Sequence, residues 1–268
     1  MIRGAVLGSP IEHSLSPVLH RAAFASLQID GSYERIEVGA GQLKEFITKR
    51  GSEFDYLSLT MPLKEEVLQL GFATSELALK SQSANTLVKR DGSWSATSTD
   101  GTGFLQALAH REFTDFSSVL ILGAGGTARA IAASLDGIAD SITVLGRTST
   151  REQSFERIVS QSKFSYVIWS NALSLEPFSL VVNTTPAGAA DLLAEGIEGD
   201  ISCLLFDVIY KPWPTVLANK WRNLGAPVIS GVELLLYQGI EQLRIVTEKN
   251  FDTEKLASNL REKLATAL

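Results

Sequence analysis

A chain of 268 residues that is 45% hydrophobic and 20% charged has ordinary globular composition, which excludes the low-hydropathy, high-charge profile of a disordered protein. Its net charge of −6 is spread along the sequence with no basic stripe interleaved with aromatics, so nucleic acid is not the expected partner. Cys203 is the only cysteine, which excludes an intrachain disulfide and a cysteine zinc site. The first residues, Met1 to Leu7, run straight into a strand-like pattern without the longer apolar segment of a signal peptide, and no uncharged apolar stretch has the length of a membrane span. These features point to a cytoplasmic protein with no membrane partner. Length alone permits one large domain or two modest ones.

In chain order, Ala5 to Leu7 reads as a strand and Pro17 to Leu27 as an amphipathic helix, with Pro17 suited to a first helical turn and Ser16 placed as a simple N-cap. Tyr33 to Val38 and Tyr56 to Thr60 follow as strands around a helix from Gln42 to Lys49. Thr86 to Lys89 leads through Asp91-Gly92, a hairpin turn signal, into another strand. A helix is expected from Gly101 to Ala109, and Asp100 before it has the character of an N-cap.

A stronger pattern begins at Ser118 to Leu122, a continuous apolar run of the kind buried on both faces of a parallel sheet. Ile142 to Leu145, Leu180 to Val182, Leu204 to Val208 and Pro227 to Ile229 supply further strands, with helices at Phe155 to Gln161 and Thr215 to Asn223. That alternation predicts a doubly wound sheet. The long periodic segment from Val232 to Val246 reads as a helix packing back on the first domain.

Gly123-Ala124-Gly125-Gly126-Thr127-Ala128 follows the Val119 to Leu122 run and opens a helical pattern ending near Leu135, the context of a dinucleotide-binding turn. Glycine at the first position permits the tight turn, glycine at the second lets backbone approach a pyrophosphate, and the small third residue admits close helix–sheet packing. The helix N-terminus offers free N–H groups to phosphate. After the next strand the chain reads Gly146-Arg147-Thr148, with no acidic side chain to hold ribose hydroxyls. Arg147 can pair with a 2′-phosphate and Thr148 can add a hydroxyl, which favours NADP over NAD. Arg129 and Arg151 read as solvated surface arginines, although Arg151 lies close enough to help. His13, His20 and His110 lack metal-ligand spacing and are expected at the surface or packed, so no metal is expected.

The string Gly8 to Pro17 closely resembles the opening signature of the shikimate dehydrogenase family. Ser58 to Lys64, Ser83 to Thr86, Ser98 to Gly101 with Gly103, and Ser230 to Leu235 with Gln238 match further motifs in the family's order. The resemblance implies two α/β domains with the active site in the cleft between them. Residues 1–100 would form the substrate domain, completed by C-terminal helices over 232–268, and 101–231 a Rossmann-type NADP-binding domain. It implies reversible reduction of 3-dehydroshikimate by NADPH, a step of aromatic amino acid biosynthesis, with no metal. Carried over by position, Ser14 and Ser16 would hold the substrate carboxylate, Thr60, Asn85 and Gln238 the ring hydroxyls, and Lys64 with Asp100 the reacting oxygen. Ser58 would lie among the substrate contacts and Gly231 among the cofactor contacts. Such a protein would act on a small molecule as a monomer or homodimer.

The chain departs from the family's commonest pattern at three positions: Ser58 and Ser98 stand where Asn is usual, and Gly146 precedes Arg147 in place of Asn. Serine keeps a hydroxyl but reaches less far than Asn. Alternatives are a quinate/shikimate dehydrogenase of broader specificity, a methylenetetrahydrofolate dehydrogenase, against which the serine pair speaks, and a non-catalytic regulator that binds NADP and a shikimate-like ligand. Ser16, where relatives that accept quinate more often carry Thr, points to shikimate.

Overall fold

The structure is a computed structural model that describes residues 1–170, 175, 177–197 and 200–268. It divides into two compact units, Met1–Phe104 with Leu235–Leu268, and Leu105–Leu234. In chain order the elements are β1 (Ile2–Gly8), α1 (Ser16–Ser26), β2 (Gly31–Glu37), α2 (Leu43–Arg50), β3 (Tyr56–Leu59), α3 (Leu63–Glu66), β4 (Ala73–Thr74), α4 (Glu76–Ser81), β5 (Thr86–Arg90), β6 (Ser93–Thr97) and α5 (Asp100–His110). They continue with β7 (Val119–Leu122), α6 (Gly126–Leu135), β8 (Ser141–Gly146), α7 (Glu152–Ile158), β9 (Lys163–Ile168), β10 (Leu180–Asn183), α8 (Asp191–Glu195), β11 (Leu204–Asp207), α9 (Val216–Asn223), β12 (Val228–Ser230), α10 (Gly231–Thr247) and α11 (Thr253–Ala265). No helix among the described residues is long and apolar enough to cross a membrane.

The first unit is built on a mixed sheet of order β2-β1-β3-β5-β6-β4. β1 runs parallel to β2 and β3, whereas β5 runs antiparallel to β3 and β6. Asp91 (φ +48°) and Gly92 (φ +80°) close the hairpin between the paired residues Arg90 and Ser93, as the Asp-Gly signal predicts. One sheet face is sealed by Leu7, Leu57, Leu59, Leu63 and Leu87. The buried stripe Leu236, Ile240 and Leu243 of α10 recurs at helical spacing. Gly239 lets that helix approach α1: a Cβ there would lie 2.7 Å from Leu19 Cδ2.

α1 starts differently from expectation. Leu15 occupies the N-cap position, Ser16 is inside the first turn with Pro17, and the Ser14 hydroxyl accepts the Ser16 N–H at 3.3 Å. Asp100 likewise lies in the first turn of α5 and is not its cap, because Thr99 supplies the first carbonyl, to Gly103 N–H at 2.9 Å.

His20 is fully buried, stacked on Tyr33 at 4.0 Å and hydrogen-bonded through Nδ1 to the Tyr56 hydroxyl at 2.8 Å. Burial pushes its pKa down to about 3, partly opposed by the neighbouring Gln242 side chain. The folded state therefore resists a proton that the unfolded chain, with an ordinary histidine, accepts below about pH 6.5. Stability from this site is complete above that pH and is lost as pH falls towards 3, at up to about 1.4 kcal/mol per pH unit. Urea unfolding between pH 7 and 4 should show this slope, and His20→Asn should flatten it whatever its overall stability.

The second unit holds a six-stranded sheet of order β12-β11-β10-β7-β8-β9. Its strand pairs are all parallel among the described residues. Counted from β7, this is the doubly wound dinucleotide-binding order, and the winding direction reverses between β7 and β10. Several features were not legible in the sequence, α8 among them. β9 lies at the sheet edge with an irregular burial pattern, and α7 ends at Ile158 instead of continuing to Gln161. The early end of α7 has a local cause: the Asp136 carboxylate accepts the N–H groups of Ser160, Gln161 and Ser162 at 3.0, 2.7 and 3.0 Å, diverting the backbone from helical bonding into β9.

Candidate active site

Topology explains why motifs scattered from residue 8 to residue 100 converge. β1 and β3 are parallel, so Gly8 and Leu59 end on the same side of the first sheet. β5 begins there, because it is antiparallel to β3 with Ser58 opposite Thr86, and β6 finishes there, with Thr97 also opposite Thr86. Ser9 N–H joins the first two loops by donating to the Met61 carbonyl at 2.9 Å. The same sheet edge thus carries Ser14, Thr60, Lys64, Asn85 and Asp100.

At its centre Lys64 Nζ donates to Asp100 Oδ2 in an ion pair, with side-chain exposures of 15% and 5%. The other Asp100 oxygen accepts Asn85 Nδ2 at 2.7 Å. Asn85 Oδ1 is held by the Thr99 N–H and the Thr86 hydroxyl, both at 2.8 Å. Gln238, on α10, brings its Oε1 to 3.3 Å from Asn85 Nδ2 and anchors its own amide on the Leu235 carbonyl at 3.0 Å. A Cβ at Gly103 would sit 2.5 Å from Gln238 N, so glycine there is what lets α5 and α10 bring these groups together. Lys64 keeps partial access to solvent while its carboxylate partner is buried, the arrangement required of a group that must present a proton to a ligand.

The remaining predicted positions divide. Ser14 and Thr60 are partly exposed and Ser16 is buried at 6% exposure. Ser58 is recessed: its hydroxyl accepts from Tyr33 at 2.6 Å and donates to Gln242 Oε1 at 2.7 Å. Ser98 Oγ is buried with no hydrogen-bond partner among the described residues. Gln242, fully buried behind the site, had no signal in the sequence beyond its place one turn after Gln238.

In the second unit, Gly123 has φ +99° and a Cβ would lie 2.7 Å from Thr184 Oγ1, so the turn after β7 requires glycine twice over. Gly125 is the N-cap of α6, and an added Cβ there would meet nothing within 4 Å among the described residues. That open space beside Gly125 at the start of α6 fits a pyrophosphate, while Ala128 is fully buried against the sheet. Arg147 and Thr148 are exposed beyond β8. Gly231 is set by packing, since a Cβ would collide with the Val208 carbonyl. Arg129 is a correction: it is fully buried, with Nη1 near the Ala124 carbonyl at 3.4 Å, because α6 turns that face towards the protein interior.

Gly146 also has a steric reason. A Cβ would fall on the phenol of Tyr166, whose hydroxyl donates to the Thr148 carbonyl at 2.8 Å. Gly146→Asn should therefore destabilise this chain by about 1–3 kcal/mol through overpacking. Thermal melts should show that loss, and Tyr166→Ala combined with it should recover much of it.

A doubly wound dinucleotide fold with an open glycine turn, joined in one chain to a second α/β unit carrying a lysine–aspartate pair, defines an oxidoreductase of the dinucleotide-dependent class. Comparisons with known proteins narrow this. A sequence model of the shikimate dehydrogenase substrate binding domain matches residues 6–87. A shikimate dehydrogenase (NADP(+)) of Staphylococcus aureus (strain bovine RF122 / ET3-1) is 34% identical, covering 97% of this chain and 98% of that protein. Among solved structures, the shikimate dehydrogenase of Mycobacterium tuberculosis superposes with a TM-score of 0.85 at 33% identity, covering 98% of this chain and 100% of that one. A Thermus thermophilus shikimate 5-dehydrogenase solved with NADP(H) and shikimate gives 0.83 at 29% identity, with coverage of 98% and 100%. The chain belongs to the shikimate dehydrogenase family.

Proposed function

We propose that the protein is an NADP-dependent shikimate dehydrogenase that reversibly reduces 3-dehydroshikimate to shikimate, in aromatic amino acid biosynthesis. The observation that carries this reading is the buried Asp100 holding the partly accessible Lys64 ammonium at the sheet edge shared with Ser14 and Thr60. NADPH, when bound, supplies the hydride; Gly123, Gly125, Gly126, Thr127 and Ala128 would hold its pyrophosphate, Arg147 and Thr148 its 2′-phosphate, and Gly231 would border it. In the first unit the hydroxyls of Ser14 and Ser16 suit a carboxylate, and Thr60, Asn85 and Gln238 suit ring hydroxyls, with Ser58 behind them. Charge that gathers on the ketone oxygen is met by Lys64, which donates the proton while Asp100 orients it and balances its charge. In the reverse direction the same pair accepts the alcohol proton.

A small-molecule substrate, a cytoplasmic location and a monomer or homodimer complete the reading. The test is direct: purified protein is mixed with shikimate and NADP and NADPH absorbance is followed. Turnover with shikimate well above that with quinate is expected. Equal rates with quinate would widen the substrate class, and binding of both ligands without turnover would make the protein a regulator and sink the enzymatic reading.

A further inference from the structure

Five hydrogen bonds link Tyr33 to Asp100 through the buried interior of the first unit. Tyr33 Oη donates to Ser58 Oγ at 2.6 Å, Ser58 to Gln242 Oε1 at 2.7 Å, and Gln242 Nε2 to Thr86 Oγ1 at 2.8 Å. Thr86 donates to Asn85 Oδ1 at 2.8 Å, and Asn85 Nδ2 to Asp100 Oδ1 at 2.7 Å. Every donor points the same way, towards the carboxylate that holds Lys64. The members are at most 6% exposed, so water cannot substitute for a missing partner.

The direction is imposed at Asn85, whose Oδ1 must face the donor-only Thr99 N–H, and separately at Gln242. Its Nε2 also faces the Asn85 backbone carbonyl at 3.3 Å, and a carbonyl can only accept, so the amide has one allowed orientation. Hydroxyls on either side are rotors that send their proton wherever the fixed neighbour requires. With Nε2 as donor, Thr86 must pass its proton on to Asn85; with Oε1 as acceptor, Ser58 must donate and so accepts from Tyr33. Thr99 N–H shares the hold on Asn85 Oδ1, and the Thr86 proton completes it. We propose that Gln242 is a positioning residue for the reaction: by fixing the polarity of this relay it keeps the Asn85 amide aimed at Asp100 and thereby holds the Asp100–Lys64 pair in its working geometry. Ser58 is part of the same device, since its hydroxyl holds Gln242 Oε1 at 2.7 Å. The inference rests on the roles proposed above for Lys64 and Asp100.

Three variants test it in the full-length enzyme. Gln242→Met keeps the length and removes both amide groups, Gln242→Glu keeps the shape but only accepts once ionised, and Thr86→Val cuts the next link isosterically. Gln242→Met and Thr86→Val should lower kcat about tenfold, with the NADP dissociation constant and the shikimate KM changed less than about threefold, since a misaimed proton donor falls on the transition state. The kcat of Gln242→Glu relative to wild type should fall as pH rises, because a protonated carboxyl can donate to Thr86 and an ionised one cannot; for Gln242→Met that ratio should be flat. The other titratable groups around the relay are His20, Tyr33 and Tyr56, all buried and common to every variant. Wild-type kcat in Gln242→Met and Thr86→Val, alongside a disabled Lys64→Ala, would overturn the inference alone. A flat ratio for Gln242→Glu across a pH range in which its carboxyl is shown to ionise would overturn it too, leaving a packing role. An active Lys64→Ala would instead remove the reading beneath it.

Discussion

Replacement of Lys64 by alanine should leave the fold and NADP binding intact and lower kcat about 10²–10⁴-fold, equivalent to roughly 3–5 kcal/mol of transition-state stabilisation. The shikimate KM should move far less. On the proposed reading Lys64 would donate a proton as charge develops on the reacting oxygen, an interaction realised in the transition state, whereas carboxylate and hydroxyl contacts from other residues would persist in the ground state. Asp100→Asn should also slow turnover, because an amide cannot balance the ammonium. The double mutant should lose less than the sum, since the two residues share one hydrogen bond and, on the proposed reading, act on one proton. Steady-state kinetics of the four enzymes closes this cycle. Near wild-type kcat in Lys64→Ala, with only weaker shikimate binding, would reduce the lysine to a substrate contact.

The second large effect concerns the cofactor. Arg147→Ala should raise the NADP KM about ten- to hundredfold and leave the shikimate KM unchanged, from loss of a charge-assisted contact of roughly 1.5–3 kcal/mol. NAD, which has no 2′-phosphate, should be a poor cofactor for the wild type and nearly indifferent to the change. Arg147 is exposed at the end of β8 and Thr148 beside it is anchored by Tyr166, so the substitution removes charge without opening a cavity. Comparable efficiency with NAD and NADP in the wild type, or an unaltered NADP KM in the variant, would move the 2′-phosphate elsewhere.

The local patterns of this chain carried much of its architecture. Alternating apolar runs marked the strands from β1 to β12 other than β4 and β9, Asp91-Gly92 marked the hairpin, and the spacing of Gly123, Gly125 and Ala128 after a buried strand marked the dinucleotide turn. These are legible because each depends on a few consecutive residues: a period, a required positive φ, a missing side chain. α11 escaped despite its Asp252 cap and the buried Leu256, Leu260 and Leu264, which recur at helical spacing.

The site divides along the same line. Lys64, Asp100 and the serines stand in contiguous strings, whereas their partners are assembled by long-range contacts that no window of sequence spans. Ser58 meets Gln242 184 positions away, and Asn85 meets Gln238 across 153. Burial decides the outcome in both cases. Ser58 read from sequence is a short substitute for a substrate contact; in the fold its hydroxyl is enclosed and must be paired, so it turns to Tyr33 and Gln242. Arg129 read from sequence is a surface cation, yet α6 faces it inward. Gly146 read as a departure from the usual Asn, and the tertiary structure shows it as the space that Tyr166 fills. Sequence alone marked most of the elements and proposed the cofactor turn and the Lys64–Asp100 pair; which polar group each buried side chain satisfies was decided only when packing removed water from around it.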